Sequence, residues 1–484
     1  MAHRLALAIL FTSFALAASA WPRATHAHGL WGHIHVTGWA IENLPPGELR
    51  DFFADPEVFN AALWGSAFPD SGYFPQAGAL AERARDYGEH AHWEPYVQDY
   101  VAWMIANDPP PWTTLASQQR VAFLLGNAAH GLQDELFDSL MLAQTLENDN
   151  GGQDATDPGT DGFLVEDGHI RFIPTRFIPM DTVLAVMDGR AATEEDINAA
   201  NDLMELLYIN ANGPAAAAGF ADQYRDVIPW TRDHYLDPDV PGSLVSEITP
   251  TMRYLEAIWE RLHGRLSDDQ VVIHTFPEDP RRLRSYQAGT ADSWVTFVFG
   301  VSVRAGSASF TWEDADGAPI AFQLEGTQWG NTWPRLMRLM PEVDLTPGGF
   351  FEVTLQPGFA RIDDPERGAG DGHTHTFQSS CLDGMLDVCP DLGPIPGPSL
   401  DGPMSEPVDD AGGDASARPD AGGPGDTSDG AQDTTPTDDT SPSDDAGDAS
   451  TGGGGCAMAA PGRATAASAL LALLWWRRRR EGDR

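Results

Sequence analysis

The run LLGNAAHGLQDELFDSLM, residues 124–141, combines an apolar stripe with groups that do chemistry. Leu124, Leu125, Ala128, Leu132, Leu136 and Leu140 recur near the helical period, and His130, Asp134 and Asp138 recur four apart among them. Residues at i, i+4 and i+8 stack on one helix face. An imidazole and two carboxylates in a column are suitable ligands for a divalent metal. A metal held with an open position brings a bound water's pKa to about 7 and steadies phosphoryl oxygens in an in-line displacement.

Three more segments carry metal-ligating residue types. HGLWGHIHVTGWAIENL places His33 at a helix start, WGSAFPDSGYF places Asp70 in a Pro- and Gly-rich loop, and YGEHAHWEPYV places His92 just ahead of Trp93 and a helix. Taken singly, each has an ordinary explanation: a helix-start His, a turn Asp, a surface His. His35, His90 and His169 are read as ordinary loop or surface residues.

Taken together and in this order, the segments resemble the zinc-dependent phospholipase C family over about residues 21–265. That family groups bacterial phospholipases C with the catalytic domain of glycosylphosphatidylinositol-specific phospholipase D, and it is related to single-strand-specific fungal nucleases. The resemblance rests on His33 followed by Ala40 and Ile41, on GSAFPD ending in Asp70, on HWEP starting at His92, and on LGNAAHGLQD containing His130 and Asp134. It implies zinc held by Asp70, His92, His130 and Asp134, with Asp70 also a candidate general base and Asp134 a metal bridge. It further implies a second site at His33 and the free amine and carbonyl of a mature N-terminal Trp21. The family's third site uses two His and an acid. Here its positions are Asp138, Asp157 and Asp161, the last two in the loop-like GGQDATDPGTDGF. An all-oxygen set favours calcium or manganese over zinc. The expectation is two or three zinc ions, with calcium or manganese at the Asp-rich site. Trp31, Phe68, Tyr73, Phe74 and Trp93 are candidates for an apolar mouth around acyl chains.

The elements that must position these groups are helical. VTGWAIENL, WEPYVQDYVAWMIAND, SQQRVAFLLGNAAHGLQDELFDSLMLAQTLEN, TEEDINAANDLMELLYIN and TPTMRYLEAIWERLHGRL read as helices, and Thr193 with Asp196 forms a capping-box variant. From about 270 the period changes. SWVTFVFGVSV, SASFTWED, IAFQLEG and FFEVTLQPG alternate or carry β-branched and aromatic residues between turn signals. The expected fold is therefore mainly α: a helical phospholipase C-like domain over 21–268, then a small β-sandwich over 269–380, where RLMPEVDLTPGGFFEVTLQPG and the later THTFQS, with its final Phe strand, resemble the end of bacterial Ig-like domains.

The ends read differently. MAHRLALAILFTSFALAASA, residues 1–20, has a signal peptide's basic start, apolar run and Ala-Ser-Ala cleavage site, with a second candidate site after Ala27. Residues 381–455 are mostly Asp, Gly, Pro, Ser and Thr and read as a disordered linker. Residues 456–484 run from Cys456 through a short apolar helix to an Arg cluster, and resemble the myxobacterial C-terminal sorting tail. This implies export, sorting machinery as a partner, and anchoring at the cell surface or outer membrane, or secretion after processing. The chain has three Cys, of which Cys381 and Cys389 are spaced to pair in an oxidising compartment.

Composition bounds the function. The 484-residue chain carries a formal charge of −43 and no Lys, which argues against a duplex nucleic-acid binder. The expectation is a metal-dependent phosphodiester hydrolase of phospholipase C type, a monomer acting on phospholipid at a membrane surface. The rival readings are a single-strand nuclease-like phosphodiesterase and a non-catalytic surface-displayed metal-binding or adhesion protein.

Overall fold

A computed structural model describes residues 29–75, 78–149, 151–187, 189–210, 213–278, 282–326, 334–364, 371–382, 398 and 400. The expected signal peptide, Trp21, Cys389, most of the expected acidic linker and the expected sorting tail lie outside the described residues. Cys381 is disulfide-bonded. No helix among the described residues is long and apolar enough to cross a membrane.

The N-terminal two thirds of the described chain is helical and the C-terminal part is built of antiparallel sheets. Helices α1 (Leu30–Glu42), α2 (Glu48–Phe52) and α3 (Pro56–Ala67) are followed by a 3-10 turn, Pro69–Tyr73. Helices α4 (Gly78–Ala91) and α5 (Glu94–Asn107) lead to α6 (Leu115–Leu136). A π turn, Phe137–Met141, carries α6 directly into α7 (Leu142–Asn148), so the helix expected from the 117–148 pattern is one run with a local widening. Helices α8 (Gln153–Glu166), α9 (Met180–Ala185), α10 (Glu194–Met204), α11 (Gly213–Tyr224), α12 (Pro229–His234) and α13 (Ile248–Leu262) complete this part.

Local signals explain several ends. Asp55 caps α3 by accepting from Glu57 N–H at 2.8 Å, with Pro56 in the first turn. Thr193 and Asp196 form the full reciprocal capping box of α10. Helix α8 overturns the reading of GGQDATDPGTDGF as a loop, and Pro158 lies inside it. Its glycines serve packing instead of turning. A Cβ on Gly162 would lie 2.5 Å from the Ala221 backbone nitrogen in α11, and one on Gly159 would lie 2.7 Å from Ile228 Cδ1. Asp157 and Asp161 are buried on this helix, and Pro158 between them costs it one backbone hydrogen bond.

Helices α3 and α6 cross by the same device. A Cβ on Gly126 would sit 1.9 Å from Ala62 O, and one on Gly65 would sit 2.2 Å from Phe123 O. Trp31, Trp39, Trp64, Phe123 and Phe137 fill the surrounding core with no exposed surface.

Strands β1 (Val272–Phe276), β2 (Val295–Phe299), β3 (Phe310–Asp314), β4 (Phe322–Gly326), β5 (Leu336–Pro341), β6 (Phe350–Leu355) and β7 (His373–Gln378) form two antiparallel sheets. One has the order β1-β2-β5-β4 and the other β3-β6-β7. Phe297 and Leu339 from the first sheet share a core with Trp312, Val353 and Phe377 from the second. Val298 and Leu336 belong instead to the helical core, so the first sheet packs its other face on the helices. Strands β1 and β5 escaped the sequence reading. Arg338 within β5 and Arg335 just before it break the strand's apolar look, yet both are buried.

Candidate metal centre

Five of the residues singled out in sequence converge. His33 comes from α1, Asp70 from the 3-10 turn, His92 from the link between α4 and α5, and His130 and Asp134 from successive turns of α6. All five are buried. His33 Nε2 lies 3.0 Å from Asp134 Oδ1, while His130 Nε2 and His92 Nε2 lie 3.3 and 3.5 Å from Asp134 Oδ2. Asp70 Oδ1 lies 3.6 Å from His92 Nε2 and 4.0 Å from His130 Nε2. The rings of His33 and His130 stack at 3.7 Å. The ligand atoms fall into two groups, His33/His130/Asp134 and Asp70/His92/His130, which share His130. Two ligands each about 2.1 Å from a tetrahedral ion stand about 3.4 Å apart, which is the spacing found here.

The surroundings set each imidazole's tautomer. His92 Nδ1 meets Gly88 O at 2.6 Å, and His130 Nδ1 meets Ser66 O at 2.6 Å. A carbonyl only accepts, so each Nδ1 carries a hydrogen and each Nε2 faces the centre as a lone pair in the neutral ring. His33 Nδ1 meets Gln133 Oε1 at 2.9 Å. Gln133 is oriented by its own Nε2, which donates to Thr37 Oγ1 at 3.0 Å. None of these partners was legible beforehand, because two are backbone carbonyls and Gln133 looks like any polar helix residue.

The buried imidazoles and carboxylates shift one another strongly. Burial lowers His92, but Asp70 and Asp134 outweigh it and raise the imidazole to about 9. Burial and the neighbouring His33 push His130 down to about 4. Burial works to raise Asp134, yet His130 and His33 hold its carboxyl far below the usual range. Nearby carboxylates crowd without such help. Asp157 is pushed well above its ordinary value by burial first and then by Asp138, Asp134 and Asp70. Glu247, which the sequence reading passed over, is raised by burial and by Asp134 and Asp138. His130 Nε2 and Asp157 Oδ1 are buried and make no hydrogen bond among the described residues. Lone pairs without donors, beside several buried acids, fit a bound divalent ion.

Asp138, Asp157 and Asp161 are buried, but none belongs to either ligand group. Asp138 Oδ1 accepts from Gln153 Nε2 at 3.3 Å. Asp161 has another task. Its Oδ1 accepts from Gly32 N–H at 3.0 Å, and its Oδ2 accepts from Trp31 N–H at 3.1 Å and from Tyr208 OH. It therefore holds the N-terminus of α1, where free amides and the helix dipole attract a carboxylate. Gly29 leaves the room, since a Cβ there would fall 2.2 Å from Asp161 Cγ. This fixes the helix that presents His33.

The expected mouth is partly core. Trp31 and Phe68 are fully buried, whereas Tyr73, Phe74 and Trp93 are half-buried. Glu89 accepts from Tyr73 OH at 2.7 Å and from Trp93 Nε1 at 3.0 Å, so one carboxylate holds both rings beside His92. His35 is corrected as well. It is no surface residue but is fully buried, meeting Trp31 O through Nδ1 and accepting from Arg171 N–H through Nε2 at 2.9 Å. His90 is buried too, with Nδ1 at 3.2 Å from Arg190 Nη2.

The chain matches no protein-family model. It is similar to the phosphatidylinositol-glycan-specific phospholipase D of Mus musculus, 24% identical over 183 residues that make up 35% of this chain and 21% of the mouse protein. The Bos taurus protein of the same name is 35% identical over 120 residues, 24% of this chain and 14% of the bovine one. The match thus spans about a fifth or less of either relative. Among solved structures, the S-layer protein rSbsC gives a TM-score of 0.18 at 12% identity, covering 67% of this chain and 46% of that one. A score that low carries no argument about the fold.

Proposed function

We propose that the chain is a metal-dependent phosphodiester hydrolase of phospholipase C type that acts on phospholipids. One observation carries the reading: three buried imidazoles, each fixed by its Nδ1 partner, turn Nε2 onto two buried carboxylates at ligand spacing. The partial similarity to a phospholipase points to the same substrate class.

Asp70, His92, His130 and Asp134 would hold one zinc ion, and His33, with His130 or Asp134, a second; Trp21 remains the expected completing ligand. Zinc bound there would supply Lewis acidity and a water ionisable near neutral pH. Asp70, whose Oδ1 lies 3.6 Å from His92 Nε2, would take a proton from an attacking water. Tyr73 and Trp93, held by Glu89, would border the scissile phosphate and the start of the acyl region. The products would be diacylglycerol and a phosphorylated head group. Export, surface display through the C-terminal tail, and an Ig-like role for the sheet module as spacer or adhesive complete the proposal.

The test is head-group release from phosphatidylcholine and phosphatidylinositol vesicles by wild type and Asp134→Ala. Wild-type turnover that disappears with zinc in the variant supports the reading. Turnover retained by zinc-free Asp134→Ala refutes the mechanism, and cleavage of single-stranded DNA but of no phospholipid refutes the substrate class.

A further inference from the structure

Arg335 is the least expected residue near the centre. It lies just before β5, in the sheet module, yet its side chain has no exposed surface. Its Nε donates to Glu135 Oε1 at 2.7 Å, and its backbone N–H donates to Glu135 Oε2 at 3.0 Å. Nη2 donates to the carbonyl of His92 at 3.3 Å, and Nη1 reaches Tyr254 OH at 3.4 Å. Tyr254 OH in turn donates to Glu94 Oε2 at 2.7 Å, and Glu94 Oε1 accepts from Arg261 Nη1 at 2.6 Å.

These contacts fall on the immediate neighbours of the ligands. Glu135 follows Asp134, and His92 is itself a ligand. Gly131, which follows His130, is the slot through which they meet. A Cβ there would lie 2.0 Å from His92 O and 2.8 Å from Arg335 Nη2. The guanidinium thus ties the His92 backbone to the α6 turn that presents His130 and Asp134. A second arginine does similar work one turn on: Arg338 donates to Ser139 O in the π turn and lies over Trp294 at 4.6 Å.

A buried pair of this kind is a poor source of stability, because desolvation consumes most of the Coulomb gain. Planar, multidentate geometry is what distinguishes it from apolar packing. We propose that Arg335 is a positioning residue of the metal centre, so that the sheet module completes the centre and is more than a spacer. The proposal rests on the metal-binding part of the function proposed above.

The test is zinc affinity, measured on the full chain by competition with a chromophoric chelator, for wild type, Arg335→Gln, Arg335→Lys and the double variant Glu135→Leu/Arg335→Met. Loss of a group that orients a ligand typically weakens metal binding by about 10–100-fold. That loss is expected for Arg335→Gln, with part of it recovered in Arg335→Lys, which can pair with Glu135 but cannot also reach His92. The double variant leaves no unpaired buried charge, and is expected to keep the wild-type circular dichroism while still losing about tenfold in affinity. In the cobalt-loaded proteins the visible absorption of the His92 site should shift. A folded double variant that binds zinc within about twofold of wild type, with an unchanged cobalt spectrum, overturns the proposal, since positioning partners matter by tenfold or more. A wild-type chain that binds no zinc overturns the metal reading itself.

Discussion

Asp161→Asn separates two tasks that its spacing from Asp157 cannot. The carboxylate accepts two amide hydrogens from the first turn of α1 and the hydroxyl of Tyr208. The amide keeps one acceptor oxygen and turns its NH2 toward the other backbone donor. One buried N–H then lacks a partner, which costs about 1–3 kcal/mol. Loss of the charge at a helix N-terminus adds up to about 2 kcal/mol in a buried geometry. Part of this returns, because burial raises the Asp161 carboxyl to about 6 and the neutral amide escapes that desolvation. The net expectation is about 2 kcal/mol of lost stability, a midpoint drop of a few degrees for a domain of this size. Denaturant unfolding of the metal-free protein, followed by circular dichroism, reads the loss. Zinc per chain, measured on the same preparation, should not change. A variant that unfolds like wild type when metal-free but holds one ion fewer refutes the helix-end role and restores Asp161 as a ligand.

Other expectations are equally concrete. Gly126→Ala drives a methyl into Ala62 O and should cost more than about 3 kcal/mol or prevent folding, read by soluble yield and unfolding midpoint. Gln133→Leu leaves the buried His33 Nδ1 without its acceptor and should weaken zinc at the His33 group by about tenfold, read by chelator competition. His35 is buried and lowered to about 4 against an ordinary 6.5, burial being the main cause. The unfolded chain therefore binds this proton first as pH falls. Its contribution is intact above about pH 6.5 and declines toward pH 4, by up to about 3 kcal/mol. Unfolding of wild type and His35→Gln at pH 7.5 and 5 should converge at the lower pH; parallel curves would exclude the effect.

Particular residues show how far the sequence reached. The four-residue spacing of His130 and Asp134 was legible because a helix face is a periodic object, and the change of period near 270 announced the strands. Helix α8 was not, since Pro158, Gly159 and Gly162 look like loop residues until Ala221 and Ile228 are seen filling the space they leave. Strand β5 was hidden by Arg338 within it, which pairs with Glu325 on β4, and by Arg335 just before it, whose partner Glu135 stands 200 positions away. Asp161 carries a ligand's residue type at a ligand's spacing, but its hydrogen bonds run to a helix end 129 and 130 positions away. Contacts between distant segments, and those made by backbone carbonyls, leave no pattern in a single sequence.

The central claim is that the buried His/Asp cluster is a metal centre. The most direct test is metal content per chain, by mass spectrometry, of the folded protein after exhaustive dialysis, beside Asp134→Ala. The two overlapping ligand groups predict about two zinc ions retained by wild type, with their loss in the variant. A folded wild-type protein that retains no metal and takes up none from micromolar zinc contradicts the claim.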